Sequence, residues 1–270
     1  MKSLDIRTYP GFRALTFICL AILYGPMLVI AIYSFNSLRS ITSWGSFTFD
    51  WYLKAFNNPT IQVAALNSLL IAVVAALAST TVAVFAALAL ASGKTFKGQP
   101  ALFALINLPL MIPEIVTAVS SLVFFIAIGF NLGLLTVLIA HVVFCIPFAY
   151  LPIAARLQGI KGHFEEAALD LYATRWQAFR YILMPMLMPG IISGLMLAFI
   201  VSLDDFIITN MVAGPGTTTL PIAIYGMVRV GFTPEINAIS TLLLLTSLMF
   251  VTISYFLGRS APKNAKAIPK

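Results

Sequence analysis

Residues 133–153 read GLLTVLIAHVVFCIPFAYLPI and contain no Asp, Glu, Lys or Arg. A helix needs about 20 mostly apolar residues to cross the roughly 30 Å hydrocarbon core of a bilayer, so this run predicts a membrane-spanning helix. The chain contains six such runs: 14–35, 66–91, 102–128, 133–153, 184–208 and 238–257. Helices are expected because a backbone in lipid must satisfy its own hydrogen bonds. The sequence therefore predicts an all-α, polytopic membrane protein in which residues 1–270 form one transmembrane domain.

The composition agrees with a protein that faces lipid. Hydrophobic residues make up 60% of the chain and charged residues 9%, whereas about a quarter of a soluble domain is charged. The net charge of +7 does not indicate nucleic-acid binding, because the cations lie in short connectors between the apolar runs. The first run is too long for a cleaved signal peptide, so we expect it to be retained as a span.

The distribution of Lys and Arg predicts the orientation of the spans. With a cytoplasmic N-terminus, the inside segments contain Lys2, Arg7, Arg13, Lys94, Lys97, Arg156, Lys161, Arg175, Arg180, Arg259, Lys263, Lys266 and Lys270. The outside segments contain only Arg39, Lys54 and Arg229. Because basic loops stay on the cytoplasmic side, we expect both termini to be cytoplasmic.

Two predicted outer loops have structure of their own. The loop over residues 36–65 is rich in aromatic residues, which form either an interfacial aromatic belt or a surface for a partner. The loop over residues 209–237 contains a Gly214-Pro215-Gly216 turn signal. Thr219 then precedes Pro221, which predicts the start of a short surface helix.

The segment between the fourth and fifth spans predicts a helix, a turn and a second helix. Ile160, Phe164 and Leu171 recur at helical spacing, and the acids of this stretch fall on the other side. Residues 174–177 read TRWQ, a capping box that opens the second helix. This exposed elbow on the cytoplasmic side is suited to transmit force from a docked soluble partner.

The same segment resembles the "EAA" loop of the permease subunits of ATP-binding-cassette (ABC) importers. That loop has Glu-Ala-Ala, a Gly four residues after the second Ala, and a later Ile-x-Leu-Pro. This chain has Glu166-Ala167-Ala168, Tyr172 at the Gly position, and Ile182-Leu183-Met184-Pro185. If the turn needs a left-handed residue, Tyr costs about 1–2 kcal/mol there.

The resemblance implies that residues 156–182 form a coupling segment that sits in a cleft of a separate ATPase subunit. The residues that it assigns to ATPase coupling are Glu165, Glu166, Ala167, Ala168, Asp170 and Tyr172. The alternative is an ordinary amphipathic loop helix without a partner.

Along the whole chain, the sequence is similar to permease subunits of spermidine/putrescine importers. The stretches that carry this likeness are Tyr33–Ser37, Ser202–Phe206, Gly214–Gly216, Thr219–Pro221, Val228–Gly231 and Pro234–Ala238. The likeness implies the type I importer permease fold, the bacterial inner membrane and a polyamine cargo. It also implies a second, homologous permease, two ATPase subunits that bind ATP and Mg²⁺, and an outer substrate-binding protein. No cofactor is expected on this chain.

Other functions remain as alternatives. Related permeases carry opines, amino acids or other small cations, and a secondary transporter or channel would need no coupling elbow. An intramembrane enzyme would need a nucleophile with its base, or metal ligands, and the chain has only two His and two Cys. Gly93-Lys94-Thr95 resembles the end of a phosphate-binding loop, but Leu88 occupies the position of the required first Gly. We therefore expect neither a catalytic nor a metal site.

Glu114 is the only formally charged residue between Lys97 and Arg156. An acid near the centre of a span costs roughly 2.5–3.5 kcal/mol, and such residues usually face a pathway or a partner. A continuous helix would place Glu114 about 18 Å deep, after Pro109 and Pro113, which free backbone carbonyls. We expect it to line a cation pathway; the alternative is a packing residue bonded to His141.

Asp204 and Asp205 lie near the outer end of the fifth span. Adjacent residues point to different faces of a helix, so both are not expected to line one path. A polyamine carries at least two ammonium groups, whose desolvation an acid would offset, and Phe206 could add cation–π attraction. The sequence therefore predicts Glu114, Asp204, Asp205 and Phe206 as substrate-pathway residues. The alternative for the two aspartates is that they mark where the span meets water.

Overall fold

The computed structural model describes residues 11–40, 43–91, 96–160, 163–231 and 233–259, and these are almost entirely helical. In chain order the helices are α1 (Phe12–Tyr33), α2 (Asp50–Asn57), α3 (Pro59–Ala91), α4 (Gln99–Met111), α5 (Glu114–Ala127), α6 (Leu134–Gln158), α7 (His163–Asp170), α8 (Arg175–Ala178), α9 (Met184–Asp204), α10 (Ile207–Val212), α11 (Leu220–Val230) and α12 (Pro234–Arg259). A π-helical turn, Phe179–Leu183, joins α8 to α9. The segment 93–95, considered above for nucleotide binding, lies outside the described residues.

The number of membrane-spanning helices agrees with the sequence. Among the described residues, five helices are long and apolar enough to cross a membrane: α1, α3, α6, the continuous stretch Arg175–Asp204, and α12. A sixth span is counted when α4 and α5, which are bent by 109°, are taken together. The predicted third span is therefore not one straight helix, and this break matters for the site described below.

The described residues group into two compact units, one within Met1–Gln62 and Ile224–Leu245, the other within Val63–Ala223 and Thr246–Lys270. The second unit contains a hydrophobic core whose fully buried members include Val137, Ile153 and Leu187. The single transmembrane domain expected from the sequence stays a prediction.

Two glycines allow α6 and α9 to pack closely in that core. A Cβ added at Gly194 would lie 2.5 Å from the carbonyl oxygen of Ala149, and one at Gly190 would lie 2.6 Å from Cβ of Arg156. Small residues at such spacing let helix backbones approach in membranes. The neighbour of this glycine face is therefore α6 of the same chain.

The aromatic outer loop, in the first unit, is folded around Asn36. The buried Asn36 side chain donates to the carbonyl oxygen of Ser43 (2.8 Å) and accepts from the N–H of Gly45 (2.8 Å). The indole N–H of Trp51 donates to the carbonyl oxygen of Asn36 at 2.7 Å, and Lys54 Nζ lies 4.3 Å from the centre of the Trp51 ring. Buried polar groups are thus satisfied within the loop, although its role as a belt or a partner surface stays a prediction.

The second outer loop follows the predicted pattern. Gly216 has φ +80° and the N–H of Thr217 donates to the carbonyl oxygen of Gly214 at 3.2 Å, as expected for a turn with Pro at its second position. The predicted short helix after Thr219 is α11, which begins at Leu220. Both sequence predictions for this loop are confirmed.

Candidate functional site: two helix breaks and an elbow

The third span breaks between α4 and α5. Proline lacks an N–H and forces the preceding residue into an extended conformation. Ile112 (φ −94°, ψ 134°) and Pro113 (φ −54°, ψ 134°) are both extended, and α5 begins at the next residue, Glu114. The predicted depth of 18 Å for Glu114 assumed that the third span is one continuous helix, and this assumption was wrong. Glu114 instead lies in the first turn of α5, where the helix dipole stabilises a carboxylate.

The fifth span also breaks, and Asp205 satisfies the freed backbone. Helix α9 ends at Asp204, Asp205 is extended (φ −63°, ψ 128°), and α10 begins at Ile207. The Asp205 carboxylate accepts from the N–H of Thr209 (2.9 Å) and of Ile208 (3.4 Å). These N–H groups at the start of a helix have no partner within the helix, so the carboxylate completes the first turn of α10.

His141 of α6 holds Asp205 from a second helix. Its Nε2 atom lies 3.2 Å from Asp205 Oδ1 and 2.8 Å from Thr209 Oγ1. The Thr209 hydroxyl donates its single proton to Asp205 (2.9 Å), so it accepts from His141, and Nε2 carries a hydrogen. Nδ1 of His141 lies 2.8 Å from Ser202 Oγ. All four side chains are buried, and we call this group the Asp205 cluster: His141, Ser202, Asp205 and Thr209.

Glu114 connects the two breaks. Its side chain is half-buried, and its carboxyl group lies close enough to that of Asp205 for the two groups to interact. Two neighbouring carboxylates repel each other unless a proton or another positive charge lies beside them. A cationic group arriving here could take the place of that proton, because it would supply the positive charge that two neighbouring carboxylates need.

Asp204 has a different environment from its neighbour. It is exposed on this chain, and both carboxylate oxygens lie 3.3 Å from Ser247 Oγ of α12. Phe206 is half-buried beside the break. The two adjacent acids therefore have different environments: Asp205 is buried and bonded within the fold, whereas Asp204 is accessible.

The elbow, residues 163–183, comprises α7, a turn, α8 and the π-helical turn. The C-terminus of α7 is a Schellman motif: the N–H of Tyr172 donates to Leu169 and that of Ala173 to Ala168, both at 3.0 Å. Tyr172 has φ +63°, and among the described residues no other non-glycine has a positive φ. A left-handed residue is thus needed at this turn, and Tyr costs about 1–2 kcal/mol there.

The second helix of the elbow begins at the predicted capping box. The N–H of Gln177 donates to Thr174 Oγ1 at 3.3 Å, and the N–H of Thr174 donates to Gln177 Oε1 at 2.7 Å. Helical structure then continues through the π-helical turn into α9, so Arg175–Asp204 forms one run of 30 residues. At about 1.5 Å per residue, this run joins the elbow to the Asp205 cluster about 45 Å away.

Most residues predicted for coupling lie in α7. Ala168 is buried, whereas Glu166, Ala167 and Asp170 are exposed and Tyr172 is 97% exposed. Glu165 is in α7, but its side chain lies outside the described set. Their contact with an ATPase stays a prediction.

Sequence reasoning missed two residues that organise the site. Ser202 and Thr209 fix both ring nitrogens of His141, yet single hydroxyl groups in an apolar run give no signal of such a role. A third, Arg156, was counted only as a topology signal. Its Nε donates to the carbonyl oxygen of Met186 at 2.8 Å, so it ties the end of α6 to the start of α9.

Several apolar helices are long enough to cross a membrane, two of the spans break beside carboxyl groups, and an elbow is exposed. These are features expected of a membrane transport protein. Comparison with known proteins specifies which: the sequence profile of the family "binding-protein-dependent transport system inner membrane component" matches residues 79–262, and the chain belongs to this family. It is therefore a multi-pass protein of the bacterial inner membrane and a transport subunit, not an enzyme.

Two curated relatives are similar over nearly their whole length. The chain is 38% identical over 244 residues to the spermidine/putrescine transport system permease protein PotC of Escherichia coli K12, covering 90% of this chain and 92% of the relative. It is 37% identical over 270 residues to the putrescine transport system permease protein PotI of the same strain, covering 98% and 96%. A chain of a bacterial ABC transporter that imports alginate shares the fold, with a TM-score of 0.67, 18% identity and 93% of each chain covered.

The buried contact between His141 and Asp205 is testable by a double-mutant cycle. His141→Ala should destabilise the protein by about 2–4 kcal/mol, because a buried carboxylate loses its donor. Asp205→Asn should also destabilise, and the double variant should lose at least about 1 kcal/mol less than the sum. Thermal unfolding in a fixed detergent measures all four proteins. Strictly additive losses would show that the two side chains do not interact.

Proposed function

We propose that this chain is a permease subunit of an ABC importer that moves polyamines such as putrescine or spermidine into the cell. The observation that carries the proposal is the 37–38% identity, over at least 90% of the chain, to polyamine permeases. The alternatives are an ABC permease for an opine, an amino acid or another cation, and a secondary transporter or channel. These alternatives differ in the chemical groups of the cargo that the pathway must bind.

The acids at the helix breaks support a cationic cargo. Glu114 and Asp204 are carboxyl groups at or beside membrane-spanning helix ends, and neither forms an ion pair with a Lys or Arg in the part of the chain that the structure describes. A polyamine loses the hydration of its ammonium groups when it enters a membrane protein, and carboxylates offset that loss. We assign cargo contact to Glu114, Asp204 and Phe206, with Asp205 holding their framework in place.

The geometry of the elbow supports the proposal that separate ATPase subunits drive transport. Its turn is fixed by a Schellman motif on one side and a capping box on the other, so its helices keep their relative geometry under load. Glu165, Glu166, Ala167, Ala168, Asp170 and Tyr172 form the proposed ATPase-coupling surface. ATP and Mg²⁺ belong to two ATPase subunits, and no cofactor is assigned to this chain.

The proposed assembly contains a second, homologous permease and an external substrate-binding protein that delivers the cargo. Closure of the ATPase pair on ATP would move the elbow, which lies on the cytoplasmic side in this topology. The 30-residue helical run would carry that movement to the break at Asp205. The cargo path would then open alternately to each side, and no covalent chemistry takes place on this chain.

Glu114 tests the cargo assignment. Glu114→Gln should raise the KM for putrescine about tenfold or more and leave the assembled complex intact, because it removes a carboxylate that faces the dication. Glu114→Asp, which keeps the charge, should retain most of the uptake. Uptake of labelled putrescine by proteoliposomes containing the complete importer measures both. Normal uptake by Glu114→Gln would remove Glu114 from the pathway.

Glu166 tests the coupling role. Glu166→Lys should abolish ATP-dependent uptake without changing membrane insertion, because it reverses a charge on the docking helix and touches no span. Glu166→Asp serves as the matched control and should keep much of the activity. If the Glu166→Lys protein takes up substrate at the same rate as the unmodified protein, the result would contradict a docking role for α7.

A further inference from the structure

At the turn, the backbone conformation of Tyr172 disfavours a side chain, and this chain does not pack around the side chain that is present. Its backbone adopts a left-handed conformation that disfavours a side chain, and its ring is 97% exposed. Glycine would form the same Schellman motif without strain. Packing within this chain therefore cannot offset the strain that the side chain causes.

A contact with another molecule would resolve this conflict. Tyrosine is among the residue types that most often contribute a large part of the binding energy at protein interfaces. We infer that the Tyr172 ring is an anchor that inserts into a pocket of the ATPase subunit. The inference rests on the proposed function of the elbow, and it adds the residue that contributes most to ATPase binding there.

The charges around Tyr172 favour a protein over the lipid surface as its partner. Helix α7 contains three acids, Glu165, Glu166 and Asp170, and no Lys or Arg. The cytoplasmic leaflet carries anionic lipids, which attract basic segments and repel acidic ones. Arg175 and Arg180 follow the turn, where the chain enters the membrane span. The acidic helix that presents Tyr172 is therefore suited to a basic-lined cleft of a soluble subunit.

The turn itself is exposed beyond the tyrosine. Leu171, next to it, is 81% exposed, and Trp176 in the first turn of α8 is 69% exposed. Trp176 packs on Phe179 with ring centres 5.5 Å apart, so it is partly held by this chain, whereas Tyr172 has no such ring neighbour among the described residues. Of these three side chains, Tyr172 has the largest exposed fraction to bury when a partner docks.

Three substitutions separate the ring from the strain. Tyr172→Gly removes both, Tyr172→Asn removes the ring and tolerates the left-handed backbone, and Tyr172→Phe keeps the ring. The measurement is the Kd of the importer's ATPase subunit for the permease pair in nanodiscs, together with the melting temperature of the permease. Tyr172→Gly and Tyr172→Asn should weaken binding about tenfold or more. Tyr172→Phe should stay within about threefold, and Tyr172→Gly should melt no lower than the unmodified protein.

Glu166→Lys in the same assay distinguishes this inference from the proposed function. If Glu166→Lys weakens ATPase binding and Tyr172→Gly does not, the anchor role is overturned and the coupling role stands. If neither substitution changes binding, the coupling function itself is overturned. An equal loss in Tyr172→Phe and Tyr172→Gly would also overturn the anchor, because the phenylalanine ring would still be present.

Discussion

A carboxylate inside a membrane protein persists only where other groups replace the water that it has lost, and Asp205 is the residue of this chain around which such groups converge. It accepts from the backbone of α10, from the Thr209 hydroxyl and from His141. These bonds tie α6, the end of α9 and the start of α10 to one point. The break in the fifth span is therefore a defined joint with satisfied polar groups. Glu114 brings the break in the third span to the same place.

The function proposed for this joint depends on the helix that leads to it. The run Arg175–Asp204 begins in the elbow and ends one residue before Asp205. Arg156 and the close contact of Gly190 and Gly194 hold this run against α6, so that a push at the elbow is shared by two packed spans. In the proposed mechanism the elbow receives the work of ATP hydrolysis. The helix breaks, where fewer backbone bonds resist movement, convert that work into access for the cargo.

The sequence was sufficient for the features that depend on local chemistry. Apolar runs predicted the spans because lipid leaves a backbone few other states, and the capping box at Thr174 and the turn at Gly216 were found because each needs a particular residue type. It failed where distant residues meet. Pro113 indicated a loosened third span but not a bend of 109°, and nothing near His141 in the sequence indicates Asp205 as its partner. Tyr172 was recognised as a departure because its neighbours resemble a known loop, and its left-handed backbone followed only from the structure.

The proposed coupling role requires the elbow to face the cytoplasm, where an ATPase can reach it. A chain lacking Cys19 and Cys145, with Asp170→Cys in the elbow, can be treated with a membrane-impermeant maleimide in oriented vesicles. Ser43→Cys in the aromatic outer loop reports on the opposite side. We expect Asp170→Cys to be labelled only in inside-out vesicles and Ser43→Cys only in right-side-out vesicles. Labelling of Asp170→Cys in sealed right-side-out vesicles would contradict the coupling role, since no cytoplasmic ATPase could then touch the elbow.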